Sequence, residues 1–164
     1  MNLKRVGLID RLEKSGEDYI WYVGQLRDEQ IHTPPAPKEW SIHQVAAHMR
    51  DTQQRVFVYR AQRLVKEAHP QVESFDQEVW HRDHYSPDEP LKQIISEYRI
   101  AHRKFIRILR DAEEKDWQNY AAHPEFGKIS LEWLALHNYQ HNLSHIAQIA
   151  TLAEHELLKK LNAK

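Results

Sequence analysis

Three breaks decide what this chain can fold into. HTPPAPKEW (32–40) carries three prolines, HPQVESFDQEVWHRDHYSPDEP (69–90) is long and polar, and AAHPEFGKIS (121–130) holds a proline and a glycine. Proline fixes φ and removes a backbone donor, so each stretch interrupts helix. Between them lie four segments with apolar residues at helical spacing, roughly 3–31, 41–68, 89–115 and 130–160. There are only four glycines, and strand-like runs rich in Val, Ile and Thr are absent. The expectation is an all-α chain, one domain over 1–164, folded as a four-helix bundle. The long second connection leaves the order of helices around the bundle open.

Helix starts are legible. Ser41 is followed three residues later by Gln44, a capping-box pattern. Ser86 and Pro87 precede the third segment, with Asp88 and Glu89 expected near its first turn. Ser130 precedes the fourth, with Glu132 near its start.

Composition excludes several functions. A formal net charge of −1 leaves no basic footprint for nucleic acid. The absence of cysteine removes disulfides, thiolate ligands and a cysteine nucleophile together. No apolar stretch is long enough to span a bilayer, and the charged N-terminal residues do not resemble a secretory leader. A cytoplasmic protein is expected, without membrane or nucleic-acid partners.

The anomaly is twelve histidines. HNYQHNLSHIAQI (137–149) sets His137, His141 and His145 four residues apart. On a wheel of 100° per residue with Ile146 at the origin, Ala135, Tyr139, Leu143, Ala150, Ala153, Leu157 and Leu161 fall between about −20° and +60°. That arc reads as the main core stripe. Leu134 and Leu152 fall near −120°, between His145 at about −100° and His141 at about −140°. The histidine pair therefore belongs to an apolar row at the edge of the core. His137 falls on the opposite, wet face. Imidazoles at i and i+4 can converge on one ion, whereas His137 and His145 stand about 12 Å apart along the axis.

A third ligand is sought on the second helix. His43 lies opposite the apolar stripe of Val45, Met49, Thr52 and Val56 and reads as a surface residue. His48 lies on its flank, where a metal ligand and an edge histidine without metal are equally open readings. His81 and His84 read as exposed loop residues. Asp51 is expected to project away from the core. Arg55 is read as a solvated residue, with a grip on a substrate carboxylate as its sharper alternative. No general base is named. Trp40, Trp80 and Tyr85 are assigned to packing.

WSIHQVAAHM (40–49), FDQEVWHRDHY (75–85) and GKISLEWLALHNYQHNLSHIAQI (127–149) resemble the DinB-like (DinB/YfiT-type) superfamily of metal-dependent helical-bundle proteins. The similarity runs from about residue 10 to 160, and the closing H-x-x-x-H-x-x-Q-I is its most specific part. The resemblance implies a DinB/YfiT-like four-helix bundle with one divalent metal ion per chain. Its ligands fall at His48, His141 and His145, the last two being the pair that the wheel of the fourth segment favours. It implies a homodimer as well. Its better-understood members resemble transferases of low-molecular-weight thiols, and others look like metal-dependent hydrolases.

Three imidazoles leave a divalent ion an open position, where water or a thiol would lose its proton. Zinc or nickel is expected first, with iron or manganese as alternatives. The leading expectation is a transferase joining a small thiol to a small electrophilic substrate. A metal-dependent hydrolase is the first alternative. A non-catalytic metal-binding stress-response or interaction module is the second.

Overall fold

The computed structural model describes residues 3–27 and 31–162. Four long helical rods build it: α1 (Leu3–Gly24), α2 (Ile42–Thr52) with its continuation, α5 (Leu91–Asp111) and α7 (Leu131–Asn162). The second rod is not a plain α-helix. After Thr52 it widens into a π-helical segment, Gln53–Val58, before α3 (Tyr59–Lys66) resumes α geometry. Helix α1 packs on α5 and α7, and those same two helices flank α2 and α3. The first two rods therefore stand diagonally across the bundle, so the first connection spans its end.

The expected caps form. Ser41 Oγ accepts from Gln44 N at 3.3 Å, and Gln44 Oε1 accepts from Ser41 N at 2.9 Å. Ser130 Oγ accepts from Trp133 N at 3.2 Å. The third rod starts later than Ser86 suggests: a turn joins Glu89 N to Ser86 O, Pro90 is the N-cap, and helix begins at Leu91. Proline disfavours α geometry in the residue before it, so Glu89 cannot enter the helix easily. The expected extension of the first helix to 31 fails at Gly24; residues 28–30 lie outside the described residues.

Two connections hold structure that the sequence left unassigned. The long one contains α4 (Gln77–His84), capped by Asp76 Oδ1 on Glu78 N and Val79 N. After the one-turn α6 (Glu114–Gln118), the third connection folds as a hairpin of β1 (Ala121–His123) and β2 (Gly127–Ile129). Gly127 takes φ +69°, which glycine adopts without steric cost.

Two large apolar clusters and a small third one of Ala46, Ala47 and Ile94 form the core. One large cluster joins Leu12, Phe57, Leu64, Phe105, Leu109 and Leu134; the other large one joins Tyr19, Val45, Met49, Tyr98 and Ile149. A buried polar layer belongs to the same core. Asn142 Nδ2 donates to Ser15 Oγ at 3.0 Å, Tyr98 Oη donates to Asn142 Oδ1 at 3.0 Å, and Asn138 Nδ2 donates to Gln53 Oε1 at 2.9 Å. Asn138 and Asn142 are fully buried, while Leu143, Leu157 and Leu161 are exposed. The expected stripe on α7 is thus displaced. The buried row is Leu131, Leu134, Ala135, Asn138, Asn142 and Ile149, centred near −60° to −80° on the wheel. Paired amides can sit in a core because their hydrogen bonds offset desolvation.

Candidate metal centre

His48 lies on the last turns of α2, and His141 and His145 lie one turn apart on α7. The packing of these two helices brings the three rings together. One nitrogen from each lies within 4.8 Å of the others, and the Nε2 atoms of His48 and His141 are 3.2 Å apart. Two nitrogens bound to one tetrahedral zinc at about 2.05 Å stand about 3.3 Å apart, so this pair already has the spacing of a ligand edge. The three histidines fit a divalent ion.

The outward nitrogens have partners. Thr52 Oγ1 lies 3.3 Å from His48 Nδ1, and Gln148 Oε1 lies 2.7 Å from His145 Nδ1. A proton on His145 Nδ1 donates to Gln148 and leaves Nε2 unprotonated for a metal. Burial pushes His48 down to about 3, with the neighbouring His145 and His81 adding to the shift. Burial holds His141 well below the ordinary imidazole range, and His145 is lowered by the same cause. All three are neutral at neutral pH and offer lone pairs.

Among the described residues no carboxylate joins the cluster. It opens instead onto a cleft of about 620 Å³ bordered by Lys38, Glu39, Trp40, Gln77, Glu78 and Gln148. Glu39 and Glu78 are carboxylates that sequence reasoning missed; Glu78 enters only because the connection forms α4.

The other histidines divide differently from expectation. His43, expected at the surface, is fully buried. Its Nδ1 lies 2.9 Å from Tyr85 Oη and its Nε2 lies 2.8 Å from Glu89 O. The segment after α4 folds across the outer face of α2, which a wheel of one helix does not show. His81 is likewise buried, stacked at 4.4 Å on Trp40, whereas His84 is exposed and stacked on Trp80. Those two do not converge. His137 stands outside the cluster, but it is half-buried against Trp133 instead of fully wet. Asp51 is buried too: it accepts from Arg50 Nε at 2.7 Å and Trp80 Nε1 at 3.0 Å, which ties α4 to α2. Arg55 lies over the Trp80 ring at 3.5 Å.

The model of the DinB superfamily matches residues 11–149. The chain belongs to the DinB superfamily. A DinB relative from Oceanobacillus iheyensis is 25% identical over 130 residues, covering 79% of this chain and 74% of its own. One from Geobacillus thermodenitrificans is 26% identical over 133 residues, covering 79% and 73%. Both carry the name "putative metal-dependent hydrolase". Among solved structures, Bacillus subtilis YfiT superposes with a TM-score of 0.81 at 22% identity, over 94% of this chain and 89% of its own. It is described as a "probable metal-dependent hydrolase with an unusual four-helix bundle topology". The four-helix bundle protein TT2238 superposes with a TM-score of 0.61 at 17% identity, over 88% and 98%. These superpositions establish a four-helix bundle fold. No described helix is long and apolar enough to cross a membrane.

Proposed function

We propose that this protein is a metal-dependent hydrolase whose single divalent ion is held by His48, His141 and His145. The carrying observation is the cluster itself: three neutral imidazoles at ligand spacing, His48 buried and His141 and His145 half-buried, opening onto a cleft. The names of its relatives support hydrolysis over the thiol transfer expected from sequence. When bound, the ion would supply a Lewis acid and lower the pKa of a water.

The chain's own residues do the rest. Gln148 and Thr52 fix the rings of His145 and His48. Glu78 is our candidate for the base that takes the water's proton. It borders the cleft from the first turn of a capped helix, whereas Glu39 borders it from a loop. Trp40, ring-stacked on His81 and packed beside His48, walls the site against bulk water.

Thiol transfer is the second reading, because the cleft is wide enough for two small reactants. One experiment separates them. Cobalt-substituted, untagged protein is screened with cytosolic thiols and with esters and amides. Metal-dependent ester or amide cleavage, lost in His145→Ala, supports the hydrolase. A thiol that perturbs the cobalt spectrum and is consumed with an electrophile replaces it. An ion saturated by protein ligands, with neither reaction, leaves the non-catalytic module.

A further inference from the structure

A second cavity, of about 200 Å³, lies against the metal cleft; Gln77 and His141 border both. Arg60, Ser74 and Phe75 also border an outer groove that reaches Arg55 and Arg63. Arg60 is 5% exposed, yet no described carboxylate lies within ion-pair distance. Its one hydrogen bond is from Nη2 to Glu73 O at 2.8 Å. A guanidinium has five donors, and beyond the Glu73 bond those of Arg60 are not among the buried unpaired atoms, so they face accessible space.

His123 borders the same cavity and carries a buried unpaired nitrogen. Its Nδ1 accepts from Glu125 N at 3.1 Å and Phe126 N at 3.3 Å, so the ring proton sits on Nε2. That nitrogen is buried and has no acceptor. Glu125 borders the cavity as well, but its carboxylate is taken by the Ser74 hydroxyl. Donors of two buried side chains, one charged, therefore adjoin one small cavity whose wall includes a proposed metal ligand.

We propose that Arg60 is the subsite for a carboxylate of the substrate, set across His141 from the metal position. The inference rests on the hydrolase reading for what the ion does, and it narrows the substrate to small acids. A planar carboxylate accepts two parallel N–H bonds from guanidinium, a geometry that lysine cannot reproduce. Such a grip would orient the rest of the substrate toward the cleft.

The test titrates 15N-labelled, metal-loaded protein with butyrate and with butyramide, its neutral counterpart. The Arg60 side-chain and His123 ring resonances are followed, and a cobalt-loaded sample reports the ion. Butyrate is expected to shift both resonances saturably, and butyramide is not. Arg60→Gln should weaken butyrate by roughly tenfold or more, and Arg60→Lys by less. Glu125→Gln, at an exposed position, should tighten it by removing a competing charge. Absence of a saturable shift, or equal binding of acid and amide, overturns the proposal. So does butyrate binding that is seen only in the cobalt spectrum and vanishes in His145→Ala. If Arg60→Gln does not fold, unchanged affinity in Glu125→Gln overturns it. Shifts that persist in His145→Ala uphold the Arg60 subsite independently, even where metal analysis refutes the ion.

Discussion

His48 and His141, 93 residues apart in sequence, hold their Nε2 atoms 3.2 Å from each other. Two unprotonated imidazole nitrogens at that distance repel unless a cation or a proton lies between them. One neutral tautomer can supply that proton as an N–H···N bond, but the third imidazole at ligand spacing points to a shared cation. Alanine at His48, His141 or His145 should therefore abolish stoichiometric metal in untagged protein after dialysis, while His137→Ala and His43→Ala retain it. Elemental analysis reads the outcome directly. Metal retained in His145→Ala but lost in His137→Ala would refute the assignment.

Gln148 acts on the ion only through His145. Gln148→Ala should lower metal affinity by about 10–100-fold, the usual effect of losing a hydrogen bond to a ligand ring. Competition with a chromophoric chelator measures it. An unchanged affinity would mean that the ring is held by packing alone.

Glu78→Gln should reduce hydrolysis by about 100-fold or more with metal content unchanged, as expected for a lost general base. Glu39→Gln should leave the rate within a few-fold. Reversal of the two would move the base to the loop.

Gly16 lies against the His102 ring: a Cβ there would sit 2.2 Å from Nε2. In an open helix Gly→Ala stabilises by about 1 kcal/mol. Here Gly16→Ala should instead destabilise, by about 1–3 kcal/mol, because His102 is buried and cannot withdraw freely. Urea denaturation measures the sign. Gly7→Ala, with open space around it, is the control expected to stabilise.

His102 also sets an acid limit. Burial lowers it to about 4, against which hydrogen bonds to the Glu13 and Leu12 carbonyls act weakly. Between that value and the unfolded imidazole near 6.5, the unfolded chain binds the extra proton, so stability falls as pH falls through this window. Above about 6.5 neither state is charged and the contribution is flat. The loss should approach about 3 kcal/mol by pH 4. His102→Gln should flatten that part of the stability profile.

The rods and the His141–His145 pair were legible because both follow from spacing along single helices, whereas His48, on another helix, was singled out by the family resemblance. What was missed follows from contacts between elements. His43 lies opposite the apolar face of its own helix, and the returning segment with Tyr85 and Glu89, together with His32, buries it. Asn138 and Asn142 read as polar positions, yet they centre the buried row because Gln53 and Ser15 meet them from other helices. A stripe drawn through apolar residues alone leaves them out and places Leu143, Leu157 and Leu161 inside. Those leucines are exposed, and the homodimer expected from the resemblance would use them. Leu143→Glu with Leu157→Glu should then give a monomer by light scattering without loss of metal; unchanged mass would exclude this face.

The π-helical turn at Gln53–Val58 makes the second rod a two-part instrument with an adjustable phase. Such a turn is equivalent to one inserted residue, and it rotates everything beyond it by about 100° relative to an unbroken α-helix. His48 lies before the turn and Arg60 beyond it. Loss of a single codon here would leave the metal ligand in place while swinging the guanidinium out of its cavity. A one-residue deletion in this chain would therefore displace the proposed carboxylate subsite without changing the residues proposed to hold the ion.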